Sequence, residues 1–294
     1  MRGRTVLITG ATTGLGRHLA RDLAVRGARL LLHGRDAHRL AAVVAEVSRW
    51  APAVRAYRAD LADLDQVRAL AAEVRRDVPR LDVLVNNAAV AVAPDLPRQV
   101  SRQGHELSLA VNHLAPYLLV HELAPLLAAA APARVVNVAS MGQAPLDFDD
   151  LMYERDYDWE LAYCRSKLAL IMSTFALAPE WRDRGVTVNA VHPAHLMDTP
   201  MVRNSGLTPA LDVDQGALPT LRLVVDSALD GVTGRYFDRF DDARAHEQAY
   251  DPEAVTRLTA ATRALVGGGA VTAAAPPARP RASGPGTPPR VPRG

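Results

Sequence analysis

Hydrophobic positions alternate along the chain between two patterns. Short aliphatic and β-branched runs at Val6–Ile8, Arg29–Leu32, Val54–Arg58, Val83–Val85, Arg134–Val138 and Val186–Val191 have the length and residue types of strands. Between them, apolar residues recur at helical spacing over Leu15–Arg26, His38–Trp50, Leu64–Asp77, Ser108–Ala129 and Leu161–Arg184. Strands separated by single helices join through right-handed crossovers into one parallel sheet with helices on both faces. Runs such as Val83-Leu84-Val85 show no polar alternation, as expected of a strand buried on both sides. The pattern predicts an α/β fold, a doubly wound parallel sheet in a single domain over residues 1–266.

The alternation stops there. From Gly267 to Gly294 the chain has six glycines, seven prolines and four arginines, with no acid. Such a composition cannot bury a core and predicts a disordered tail.

Composition narrows the class. With 49% hydrophobic and 22% charged residues and a net charge of +2, the chain reads as a soluble globular protein. The tail carries four of the positive charges, so the body is mildly acidic, which argues against a nucleic-acid partner. The longest apolar run, Leu123 to Ala133, is broken by Pro125 and Pro132 and falls short of the ~20 residues that span a bilayer. The N-terminal MRGRTVLITG lacks the apolar core of a signal peptide. Cys164 is the sole cysteine, which excludes an internal disulfide and a cysteine-based zinc site. The expectation is a cytoplasmic protein with no metal, nucleic-acid or membrane partner.

Candidate chemistry starts at the first strand, which runs into Thr9-Gly10-Ala11-Thr12-Thr13-Gly14-Leu15-Gly16 and then a helix. Glycines at such a turn let the backbone approach a diphosphate, whose charge is met by helix N-terminal N–H groups. A second signal is Tyr163 and Lys167, four apart on a predicted helix and so on one face. Of the 34 basic residues all but Lys167 are arginine, so the lone lysine marks a position where a compact ammonium is needed. An ammonium beside a phenol stabilises phenolate and is expected to lower its pKa from ~10. Ser140 follows the fifth strand at the carboxyl end of the sheet, where ligands bind. Asn112 lies within a helical run, where asparagine is mildly unfavourable.

Together these motifs resemble the short-chain dehydrogenase/reductase family in its single-domain form. The glycine spacing is TGxxxGxG; Asp60-Leu61 resembles the pair that contacts adenine; Asn86-Asn87-Ala88-Ala89 resembles NNAG; and Asn112, Ser140, Tyr163 and Lys167 follow the family's catalytic order. Pro193 matches the proline of its PG motif, while Ala89 and Ala194 stand where the family has glycine. The resemblance implies dinucleotide contacts at Gly10, Thr12, Thr13, Gly14, Leu15, Gly16, Arg35, Asp60, Leu61, Asn87, Ala88, Tyr163, Lys167 and Pro193. It implies hydride transfer to a carbonyl carbon, with Ser140 and Tyr163 on the substrate oxygen, Tyr163 as general acid, and Asn112 relaying protons through a bound water and Lys167. The long helices Ser108–Ala129 and Leu161–Arg184 resemble those that pair members into homodimers or homotetramers.

Two dinucleotides stay open. Asp36 stands about twenty residues past the glycines, where a carboxylate would bind a ribose hydroxyl of NAD(H). In the family, however, the NAD-selecting acid holds the strand end, here Gly34, and Arg35 resembles the arginine that meets the 2′-phosphate of NADP(H). NADP(H) is the preferred reading and NAD(H) the alternative, with Arg35 then an ordinary surface arginine.

An insert, Pro145 to Trp159, separates Ser140 from Tyr163 and resembles the retinol-dehydrogenase-like branch of the family. Phe148, Met152, Tyr153, Trp159, Met197 and Met201 are candidates to line an apolar cleft, under a lid running from His195 to Leu211. Nearly lysine-free, Ala/Arg/Pro-rich chains are typical of high-GC bacteria, where family members reduce ketones of aromatic polyketides such as anthracyclines. The sequence therefore reads as an NADP(H)-dependent reductase of a small-molecule carbonyl compound. The same enzyme run as an alcohol dehydrogenase, or a regulatory or scaffold protein that binds NADP(H) without turnover, are the other readings.

Overall fold

The computed structural model describes residues 1–267; beyond Gly267, the tail predicted from the sequence lies outside the described residues. Eight strands form one sheet in the order β3-β2-β1-β4-β5-β6-β7-β8. Six are those the sequence predicts, with slightly different bounds: β1 (Thr5–Ile8), β2 (Arg29–Gly34), β3 (Val54–Arg58), β4 (Val83–Asn86), β5 (Ala133–Val138) and β6 (Val186–His192). All six are parallel, in a register that sets Val6 beside both Leu30 and Val83. The strand order reverses between β1 and β4, so a crevice opens beyond their carboxyl ends, where ligands of such sheets bind.

Alternate residues of the strands feed two cores. Leu7, Leu31, Leu84, Val135 and Val188 face one cluster, and Val6, Ile8, Leu30, Val85, Val136 and Val191 face the other. The first is covered by α3 (Leu64–Asp77), α5 (Ala115–Glu122), α7 (Trp159–Arg182) and α10 (Pro252–Val266). The second lies under α1 (Gly14–Val25), α2 (Ala37–Val47) and α9 (Val213–Val225).

Three expectations are corrected. The sheet has two further strands, β7 (Tyr236–Asp238), parallel to β6, and β8 (Asp241–Ala243), antiparallel to β7. Both are three residues long and mostly polar, too short for a hydrophobic period to register. The helix predicted over Ser108–Ala129 is three pieces: α4 (Leu107–Leu109), a π turn at Ala110–Leu114 leading into α5, and α6 (Ala124–Ala129). Pro116 and Pro125 each sit at the start of a piece, where the missing N–H costs nothing. Finally, α7 is long and apolar enough by length and composition to cross a membrane, which the search for unbroken apolar runs passed over. Its apolar stretch is 67% buried inside the fold, as befits a core helix. A short α8 (Pro200–Asn204) lies within the segment between β6 and α9.

Candidate active site

The glycine loop is held from two sides. Asn87 donates its side-chain N–H groups to the carbonyls of Thr9 (2.8 Å) and Gly10 (3.1 Å), and the Thr9 hydroxyl accepts from the backbone N–H of Asn87 and Ala88. His33, buried in β2, accepts from Gly10 N–H through Nδ1 (3.3 Å), and its Nε2 bonds Ala59 O (3.0 Å). Burial pushes this imidazole down to about 4, so it is neutral, the form in which one nitrogen accepts while the other donates. The sequence reading quoted Thr9 as the first residue of TGxxxGxG without giving it a role, and it missed His33, which carries no motif.

Space explains the glycines. A Cβ on Gly16 would stand 2.3 Å from Gly10 O, one on Gly10 2.8 Å from Ala88 Cα, and one on Gly14, at φ +48°, 2.8 Å from Thr199 Cγ2. Gly34 likewise leaves room for Thr12. Thr199, which N-caps α8 and belongs to the segment from His195 to Leu211 that the sequence reading placed as a lid, is thus a neighbour of the loop.

The start of α1 suits an anion. Its N-cap, Thr13, makes no side-chain capping bond and no acid lies in the first turn, whereas α2, α3 and α7 are capped by Asp36, Asp63 and Asp158. The first-turn N–H groups of α1, which every helix leaves without internal partners, carry the positive end of its dipole toward the crevice. Leu15 and Gly16 are buried behind them. At the end of β2, Arg35 is exposed and has no ion-pair partner among the described residues. Arg58 of β3 donates to Arg35 O (3.1 Å), which places a second guanidinium against the Arg35 backbone. Asp36 is occupied otherwise, accepting from Arg39 N–H (3.0 Å) as the α2 cap. The residues present therefore fit a dinucleotide diphosphate and an additional phosphate. Asp60 accepts from Ala62 N–H, Leu61 is buried, and Pro193 closes β6 at the same edge of the sheet.

Tyr163 and Lys167 share one face of α7, with the ammonium 5.6 Å from the phenol ring centroid. Lys167 is 2% exposed and donates to Val138 O (2.9 Å) at the end of β5. Burial drops its pKa to about 7. Burial also pushes the Tyr163 phenol up to about 12, and a hydrogen bond from Ser140 only partly opposes this. In the protein alone the opposing influence on this phenol comes from Ser140 and not from the Lys167 ammonium, and desolvation prevails. The Ser140 hydroxyl oxygen accepts from Gly142 N–H (3.0 Å), which leaves its own proton to give.

The Asn112 side chain is held on both sides. Its amide clamps Val90, accepting from Val90 N–H (2.8 Å) and donating to Val90 O (2.9 Å), and it donates to Ser166 Oγ (2.9 Å). Ser166 in turn donates to Tyr163 O (2.6 Å). The side chain is thereby committed to Val90 and Ser166, and no bond joins it to Lys167. A second buried chain, Asn86 to Asn137 (2.8 Å) to Thr174 (2.9 Å), ties β4 through β5 to α7 two turns beyond Lys167. The proposed cleft lining is also revised. Tyr153 is buried beneath Arg165, Phe148 and Met152 pack against the core, and Met197 is buried against Gly216.

A parallel sheet with a glycine loop at its switch point, and a tyrosine–lysine pair beside a serine at the same edge, define a dinucleotide-dependent oxidoreductase. Residues 4–209 match the family model for short chain dehydrogenase, and the chain belongs to that family. Retinol dehydrogenase 13 of Mus musculus is 35% identical over 289 residues, covering 90% of this chain and 84% of that relative. Among solved structures, the Pseudomonas aeruginosa RhlG/NADP active-site complex is similar with a TM-score of 0.65 and 26% identity, over 81% of this chain and 95% of that one. A short-chain dehydrogenase from Sphingobium yanoikuyae in complex with NADPH gives a TM-score of 0.61 and 28% identity, over 74% and 83%.

Proposed function

We propose that this enzyme reduces the carbonyl group of a bulky, partly apolar small molecule, with NADPH as its cofactor. The observation that carries the reading is the meeting of Tyr163, Lys167 and Ser140 at the carboxyl edge of the sheet, beside the uncapped start of α1. The Pseudomonas and Sphingobium relatives are described as NADP and NADPH complexes, and Arg35, exposed at the end of β2, offers this chain a cation for the distinguishing phosphate. The loop Gly10 to Gly16 would hold the diphosphate, Asp60 and Leu61 would flank the adenine, and Asn87, Ala88 and Pro193 would border the nicotinamide half.

NADPH, when bound, supplies the hydride. Tyr163 supplies the proton: with its pKa pushed up to about 12, the phenol is fully protonated at neutral pH and gives its proton to the carbonyl oxygen as negative charge develops there. Ser140, whose single proton is directed at the Tyr163 oxygen in the protein alone, would turn it to the same carbonyl oxygen once substrate is bound. Lys167 keeps N–H groups for a ribose hydroxyl after spending one on Val138. Proton donation of this kind contributes ~10²–10⁴-fold, and alignment of the reactants supplies the rest. Run in reverse, Tyr163 would have to be a phenolate to accept the alcohol proton, so oxidation, the direction named for the retinol dehydrogenase relatives, is favoured by high pH.

The apolar character of the substrate rests on Met141, Leu161 and Leu207, large side chains left exposed next to Ser140, two residues before Tyr163, and in the segment after β6. Fused aromatic ketones of the polyketide type fit that description. The test is absorbance at 340 nm with NADPH or NADH against aromatic polycyclic ketones, retinal and short aliphatic ketones. Turnover with NADPH and the large ketones supports the reading; turnover confined to NADH or to the short ketones contradicts it.

A further inference from the structure

The loop that carries Ser140 is fastened from a part of the chain beyond residue 209, where the match to the family model ends. Tyr236 of β7 donates its hydroxyl to Ser140 O (3.2 Å), and the Gln143 side-chain N–H donates to the same carbonyl (3.1 Å). Gln143 is itself fixed, because its Oε1 accepts from His246 N–H (2.7 Å). Two residues on, Gln248 grips the far end of the loop in both directions, accepting from Leu146 N–H (2.6 Å) and donating to Leu146 O (3.0 Å). Every anchor other than Gln143 thus comes from Tyr236–Gln248, and together they span the loop from Ser140 to Leu146. Tyr236 is buried, and burial raises its phenol well above the ordinary value, so it is a donor at all working pH.

Ser140 needs this fastening for a chemical reason. A serine hydroxyl rotates freely, and its aim toward Tyr163 is set by the backbone at Ser140 and by the Gly142 N–H that engages its lone pair. Both belong to the loop. Catalytic hydrogen bonds misplaced by even ~1 Å lose much of their effect on rate.

We propose that Tyr236 is a positioning residue for the carbonyl reduction: by holding Ser140 O from β7, together with Gln143, it aims the Ser140 hydroxyl at the substrate oxygen. This rests on the proposed role of Ser140 and extends it to a strand too short to be seen in the sequence.

The test is a double-mutant cycle on the full chain. Tyr236→Phe keeps the ring in the core and removes the single hydrogen bond. It is expected to lower kcat about tenfold, with the Kd for NADPH and the KM for the ketone nearly unchanged. In a Ser140→Ala background the same substitution is expected to change kcat by less than about twofold, since the group it positions is gone. Gln143→Leu, which removes the second donor to Ser140 O while leaving the Tyr236 hydroxyl in place, is expected to repeat the pattern. Unchanged kcat in Tyr236→Phe with a lowered melting temperature would show a structural role and overturn the proposal. So would an equal loss on both backgrounds. Full turnover by Ser140→Ala would instead remove the catalytic reading of Ser140, and this inference with it.

Discussion

At the scale of single residues, burial decides the chemistry of the site. The same desolvation that raises Tyr163 to about 12 lowers Lys167 to about 7, so the phenol keeps its proton while the amine is poised near neutrality. A lysine with a lowered pKa carries its charge below that value and loses it above. NADPH affinity is therefore expected to weaken as pH rises through about 7, and Lys167→Met is expected to flatten that dependence in a fluorescence titration. Lys167→Arg is expected to lose at least about tenfold in turnover, because a planar guanidinium cannot take the place of a compact, fully buried ammonium. Arg35→Ala is expected to raise the Kd for NADPH about tenfold while leaving that for NADH unchanged. An equal change for both would show that Arg35 does not meet the 2′-phosphate.

At the scale of elements, polar side chains buried between strands and helices set where the reacting groups stand. Asn137 in β5 accepts from Asn86 and donates to Thr174, fixing the height of α7 against the sheet. Asn137→Leu leaves the Asn86 amide N–H without its acceptor, while the Thr174 hydroxyl keeps only its bond to Leu170 O, and is expected to cost roughly 1–3 kcal/mol in urea unfolding. Six strands and the helices α1, α2, α3 and α7 were legible in the sequence, because aliphatic runs and helical periods are local, whereas α9 (13 residues) and α10 (15 residues) were not read from it. Tyr163, Lys167 and Ser140 were legible too, through their spacing and the single lysine. What stayed hidden is non-local. The clamp of Asn112 on Val90, the hold of His33 on Gly10 and the anchor of Tyr236 on Ser140 join residues 22, 23 and 96 apart, and no period or motif encodes such pairs. The breaks in the predicted helix Ser108–Ala129 had a visible cause in Pro116 and Pro125, yet the π turn that carries Asn112 did not.

At the scale of the whole molecule, α10 closes the fold over the site. It packs against α7 and the π turn, with Leu258 and Leu265 buried and Thr262 bonded to His113, the neighbour of Asn112, at 2.8 Å. That surface of α7 is covered within the chain by α10, so a homodimer or homotetramer of the kind expected from the sequence would pair through another face. Leu258→Ala is expected to destabilise the protein by about 3 kcal/mol through the cavity it leaves.

The central claim is that Tyr163 protonates the substrate in an NADPH-dependent reduction. Its most direct test measures NADPH binding by fluorescence and NADPH consumption at 340 nm on the same preparation of Tyr163→Phe, with a ketone the native enzyme reduces. The account predicts native binding with turnover lowered by ~10²-fold or more. Turnover by the phenylalanine variant within a fewfold of the native rate, with binding intact, would contradict it.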